Sequence, residues 1–452
     1  MDESWNPEPP PEIVKIQKED LIGDTLFSKH WLCEILLKII KQIETEETKP
    51  DEIKEISSDF EKELCDLWDM TVEKDVCLAL DEYNSIQIFE GYIRKYDQVY
   101  PRAIEILIGI LVNMSTMSKE ICHKILNNTS LIHYLLFNVL SQMADVPTIT
   151  QVIRLFDVFL TTNEIKLNFV NFLKSDLTDL LSIENDEISL NWKKLIEKFF
   201  YILDNSLNAD LLDTTSQFLF DLIDSDDFLL NVFSSDSKIV DYICSAAMTR
   251  FSLDHKSKVY NSSKFTNRTP NVSQTPKVLE TQISQEDIGT IDTLFNNYFL
   301  CLQTLSTSEQ GAMALFSKCE IVINLFNFYL EKCLPTFNDW EVKSSHSLKA
   351  CVSNESLQNF ICITSVLNCL IPDKDATNVI KIDETFFRSL FTFCKYFLDY
   401  FNELSKADQI NESIEQNLKI AKSNMVDLVN NLNGVKQDKI VNELINSCIN
   451  LL

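Results

Sequence analysis

The stretch Pro101–Met117, PRAIEILIGILVNMSTM, constrains the fold more than any other part of the chain. Behind an opening proline, apolar residues recur at Ile104, Leu107, Ile108, Leu111 and Met114, in the three- and four-residue steps of one α-helical face. Ile106, Ile110 and Val112 add apolar surface on the remaining sides. A helix that is apolar nearly all round has to be buried between neighbours. Gly109 lies inside it, where glycine costs about 1 kcal/mol relative to alanine, so its presence predicts close approach by another helix. Asn113 is a polar group in the same run. This is the pattern of an inner helix of an armadillo-type repeat.

The rest of the chain agrees. Its 452 residues exceed one ordinary core, and 45% are hydrophobic. Only 6 glycines and 11 prolines occur, too few for a turn-rich β-protein of this length. Ile149–Phe159 can be laid on Ile104–Met114 without gaps, matching Val152 to Leu107, Ile153 to Ile108, Leu155 to Ile110 and Phe156 to Leu111. The offset is about 45 residues, near the upper end of armadillo and HEAT periods. Leu195–Leu203 falls roughly one further period along. The expectation is an all-α chain, an armadillo/HEAT-like α-solenoid forming a single superhelical array.

Four parts follow from the composition along the chain. Residues 1–18, with Pro7, Pro9, Pro10 and Pro11, are expected to be a disordered tail. Residues 19–251 form the N-terminal part of the solenoid. It opens with a cap helix whose buried stripe is Trp31, Leu32, Ile35, Leu36, Ile39, Ile40 and Ile43. Ser28 is its expected N-cap, or Asp24 if the helix begins a turn earlier. Glu44–Asp66 reads as an acidic linker running into a helix, and Thr71 as the N-cap of the short helices that follow. Residues 252–287 turn rich in Ser, Thr and Asn and are expected to be a disordered insert. Its Thr269-Pro270 and Thr275-Pro276 steps suit proline-directed phosphorylation, the alternative being a passive tether. Residues 288–452 form the C-terminal part, with helices over Ile291–Leu305, Ala312–Leu334, Leu357–Leu370, Phe386–Leu404 and a closing cap from Ile410.

Charge narrows the partners. Formal net charge is -28, from 68 acidic and 40 basic residues, which disfavours nucleic acid and anionic membrane surfaces. A basic protein partner or basic peptide suits such a surface; the alternative is that the acidity only keeps an apolar repeat array soluble. The 13 cysteines lie in apolar helical runs without disulfide or zinc spacing, as expected of buried thiols in a reducing compartment. The acidic, proline-rich start is the reverse of a secretory signal, and no run of about 18 uncharged apolar residues occurs. These features point to the nucleus, the cytoplasm or both, with neither secretion nor a transmembrane span.

No phosphate-binding glycine loop, HExxH or GxSxG is present, and the five histidines are scattered. Cys122 and His123 are adjacent, so on a helix they point about 100° apart, a poor nucleophile–base geometry. No enzyme activity, cofactor or metal is expected. Asn113 and Asn368 are the candidate partner-binding residues. An amide that both donates and accepts can hold the backbone of an extended peptide; it can equally be satisfied by a neighbouring loop carbonyl.

The run Ile22-Gly23-Asp24-Thr25-Leu26-Phe27-Ser28-Lys29-His30-Trp31-Leu32 resembles the N-terminal signature of the serum amyloid A-like (SAAL) proteins. So do Leu67-Trp68-Asp69-Met70-Thr71 with Asp75-Val76, and Gly109–Met114 with Glu120-Ile121-Cys122. The resemblance covers roughly residues 20–165, and the C-terminal half resembles the family in helical pattern only. It implies an armadillo-like fold, a nuclear or nucleocytoplasmic protein without enzymatic activity, and a link to promotion of cell proliferation, including in synovial fibroblasts under inflammatory stimulus. Ser28, His30, Trp31, Trp68 and Asp69 are its motif residues here, with building the N-terminal cap as their expected role. The expected function is a protein–protein interaction scaffold or adaptor. The alternative is a nuclear transport-type adaptor holding basic peptides in an acidic groove. The oligomeric state is left open.

Overall fold

The computed structural model describes residues 20–45, 53–182, 186–264, 285–333, 354–371, 386–387, 389–392 and 412–432. The tail 1–18, residues 265–284 of the expected insert and most of Phe386–Leu404 lie outside the described residues. Among the described residues there is no strand, and the chain is all-α. It divides into two compact units, Met1–Lys198 and Phe199–Leu452.

In the first unit the helices are α1 (Lys29–Thr45), α2 (Ser58–Met70), α3 (Lys74–Glu82), α4 (Ser85–Tyr96), α5 (Pro101–Met117), α6 (Lys119–Asn127), α7 (Thr129–Tyr134), α8 (Val146–Thr161) and α9 (Asn163–Ser182). A π-helical turn, Leu135–Leu140, continues α7. Helix α10 (Asp186–Asn205) crosses the boundary between the units. The chain's most apolar stretch is α5, with Pro101 in its first turn. Ile104, Ile106, Leu107, Ile108, Ile110 and Leu111 are each 0% exposed. Full burial of such a side chain stabilises by roughly 1.5–3 kcal/mol, and α5 obtains it on every side. It packs against α2 and α8, with α4 and α6 along its other flanks. The gap-free sequence match therefore becomes a real adjacency: α5 lies beside α8, and all eight matched positions are buried. Side-chain caps separate the helices. Ser118, Asn128 and Asp145 accept from the backbone N–H groups of Ile121, Leu131 and Thr148.

The second unit holds α11 (Ala209–Ser225), α12 (Asp227–Ser234), α13 (Lys238–Lys264), α14 (Gln285–Leu305), α15 (Glu309–Ser317), α16 (Cys319–Cys333), α17 (Asn354–Leu370) and α18 (Glu412–Leu432). Helices α11, α14, α17 and α18 follow one another as neighbours. Phe295, Phe299, Phe326 and Tyr329 interlock between α14 and α16, with edge-on ring pairs 5.1–5.5 Å apart. The expected insert sits inside this unit. Helix runs into it as far as Lys264 and resumes at Gln285, and α13 and α14 pack together on its two sides.

Two local expectations are corrected. Ala312–Leu334 is not one helix but α15 and α16, bent by 78° across Lys318. Leu315 before the bend and Val322 and Phe326 after it are all fully buried. Thr71 does not open α3; it closes α2. Its N–H bonds to the carbonyls of Leu67 and Trp68, and its hydroxyl donates to Trp68 O at 2.6 Å. A threonine hydroxyl serves either end of a helix, so residue type alone does not choose.

Candidate partner-binding sites

Trp68, Gly109 and Asn113 meet at one joint of the first unit. An added Cβ on Gly109 would lie 2.4 Å from ring atoms of Trp68, so the glycine of α5 exists to admit the indole of α2. One turn on, Asn113 donates from Nδ2 to the Thr71 hydroxyl at 2.9 Å and to Trp68 O at 3.4 Å. Its donor is thus engaged at the C-terminal end of α2, where a helix leaves carbonyls without intrahelical partners. Trp68 is half-buried and Asp69 is exposed.

The other motif residues build the entrance to α1. Ser28 accepts from Trp31 N at 3.2 Å, the N-cap expected of it, and donates to Asp20 Oδ2 at 2.5 Å. Asp20 Oδ1 in turn accepts from His30 N, and the Ser28 hydroxyl beside it holds the Asp20 carboxyl below the usual carboxylate range. Gly23 turns the loop in the left-handed region at φ 54°, against the Asp75 carboxylate, which accepts from Asp24 N. The His30 side chain is 78% exposed and 3.3 Å from Glu34. Trp31 is half-buried.

Asn368 also bonds to a neighbouring helix. It donates to Asn424 O of α18 at 2.9 Å, and Asn424 donates back to Ser365 of α17 at 2.9 Å. Gln303 of α14 reaches the same Ser365 hydroxyl at 3.3 Å. The result is a polar seam crossing three neighbouring helices. The buried Oδ1 of Asn368 has no partner among the described residues.

Sequence reasoning missed an open cleft of about 430 Å³ between α13 and the α15–α16 bend. Cys244, Met248, Ile321 and Leu325 give it an apolar floor; Asp241, Ser245, Lys318 and Asn324 line its edges. Lys318 Nζ closes one end at 2.5 Å from Asp241 Oδ2. Ile321 of the lining is 40% exposed, and on the preceding helix α15 Met313 and Phe316 are 67% and 44% exposed. The available signal was the polar step Ser317-Lys318-Cys319-Glu320 between the apolar runs of the two helices.

No reacting constellation forms around the histidines of the first unit. Cys122 is buried, which pushes its thiol up to about 11, while His123 lies 3.8 Å from Glu164 on another helix. His133 packs edge-on against Phe172, ring centroids 5.1 Å apart. Among the described residues, no three metal-binding side chains come together, and no single helix is long and apolar enough to cross a membrane.

Comparison with known proteins sets these features in a family. A family model described as the SAAL1 C-terminal domain matches residues 195–451. That range nearly coincides with the second compact unit, and it corrects the expectation that the C-terminal half shares only helical pattern with the family. The chain is 28% identical to Protein saal1 of Danio rerio over 316 residues, covering 69% of this chain and 58% of the relative. It is 30% identical to Protein SAAL1 of Homo sapiens over 216 residues, covering 47% of this chain and 41% of the relative. The chain thus spans about half the length of the curated relatives it matches. A solved engineered protein is similar at a TM-score of 0.36 and 9% identity, covering 92% of this chain and 98% of its own, which adds nothing to the architecture seen directly. With more than half of its residues matched by the family model, the chain belongs to the SAAL1 C-terminal domain family.

Proposed function

We propose that the protein is a non-enzymatic scaffold or adaptor that holds other proteins on its helical surface, in the nucleus, the cytoplasm or both. The observation that carries this reading is the open α13–α16 cleft, with Ile321 exposed in its lining and Met313 and Phe316 exposed on the preceding helix α15. Exposed apolar side chains around a concave site mark interaction surfaces. A contribution to cell proliferation is the corresponding physiological role, acting through the partners held. The transport-type alternative draws less support, because the donors of Asn113 and Asn368 already bond to neighbouring helices. Capture of partners from cells, comparing the wild-type chain with Phe316→Asp, tests the reading. A defined subset of proteins is expected to be lost from the variant; identical sets would remove it.

A further inference from the structure

We infer that the groove between α13 and α16, extended by the outer face of α15, takes an amphipathic helix of a partner protein, with apolar anchors on one side and lysine or arginine beside them. The inference rests on the scaffold reading and names the partner's chemistry. From α13 the groove receives Asp241, Cys244, Ser245 and Met248, spaced three, four and seven apart. From the other wall come Lys318, Ile321 and Leu325, again at helical steps. Two helical stripes over an apolar floor form the trough that a third helix fills, reading i, i+3, i+4 and i+7 anchors. Met248 in the lining and the exposed Met313 on α15 are flexible side chains that can adapt to the shape of an incoming one.

Charge decides which helix. Lys318 is neutralised by Asp241 Oδ2, so it does not present a free positive charge. The other oxygen, Asp241 Oδ1, is buried and has no hydrogen-bond partner among the described residues. That oxygen is out of an incoming side chain's reach, so the charge that selects a partner is the exposed one. Glu309 and Glu320 are exposed on α15 and α16, and Glu309 shares a helical face with Met313 and Phe316. Apolar contacts with this acidic surround favour a cationic helix over a neutral or acidic one.

The test uses the full chain and a fluorescent synthetic helix of about 18 residues, a little under five turns. It carries leucines at i, i+4 and i+7, flanked by lysines. One comparison peptide replaces the lysines with glutamate, and another the leucines with serine. The lysine–leucine peptide is expected to bind at least about tenfold more tightly than either. Phe316→Asp and Met313→Asp should each weaken it at least about tenfold with the circular-dichroism melt unchanged. Asp241→Asn should narrow the preference for lysine over glutamate. Leu207→Asp, at a 76% exposed position elsewhere, should change nothing. Equal binding by Phe316→Asp and Met313→Asp, or by the serine peptide, overturns the inference. So does a concentration-dependent dimer abolished by Phe316→Asp, since the occupant would then be a second copy. If the peptide fails while Phe316→Asp still loses cellular partners, the scaffold reading stands and only the helical, cationic occupant falls.

Discussion

The Trp68–Gly109–Asn113 joint of the first unit and the α13–α16 groove of the second are both places where helices leave space between them. In the first, every piece of that space is taken: indole against glycine, amide against hydroxyl. In the second, Met313 and Phe316 are exposed on α15, and a cleft of about 430 Å³ remains between α13 and α16. Apolar content alone does not mark a core. Residues of one hydropathy serve as packing where a neighbouring helix covers them and stay exposed where none does.

The largest effect should come from closing the joint further. Gly109→Val pushes a branched side chain into the Trp68 ring and is expected to cost about 2–4 kcal/mol in urea unfolding. The cost should be sub-additive with Trp68→Ala, because both act on one contact. A cost below about 0.5 kcal/mol would mean the ring does not sit there. Next comes Asn113→Ala, expected to cost about 1–2 kcal/mol and to couple with Thr71→Val. A transport-type groove predicts instead unchanged stability and lost peptide binding. Burial near the joint also has a chemical readout. Cys77 is pushed up to about 12 and Cys122 to about 11 by desolvation. The thiolate, which is the reactive form, falls about tenfold for each pH unit below the pKa. Native alkylation of both at about pH 8 should therefore lag far behind that of the urea-unfolded chain. The smallest effect belongs to the groove: Phe316→Asp should shift stability by no more than about 0.5 kcal/mol, because the ring already meets water.

Much of the joint was legible in the sequence, and the groove was not. Gly109 in an apolar helix announced a close neighbour, Ser28 its N-cap role, and the match of Ile149–Phe159 to Ile104–Met114 the pairing of α5 with α8. Each of those depends on local spacing or on a residue with few alternative uses. Asn113 was visible as a polar anomaly, but its partner at the end of α2 lies on a different helix and has no sequence signal. The groove depends on a change of direction. Leu315, Val322 and Phe326 share one helical face and Met313 and Phe316 lie on the opposite one, and where both faces of a run are apolar the spacing does not say which a neighbour covers.

Oxidation of methionines by dilute peroxide, read residue by residue in the folded protein, tests the contrast most directly. Met114 beside the joint is 0% exposed, Met425 is 1% exposed and Met313 at the groove is 67% exposed. Met313 should convert rapidly to its sulfoxide, with Met114 and Met425 protected until the chain unfolds. Equal protection of Met313 and Met114 would contradict it.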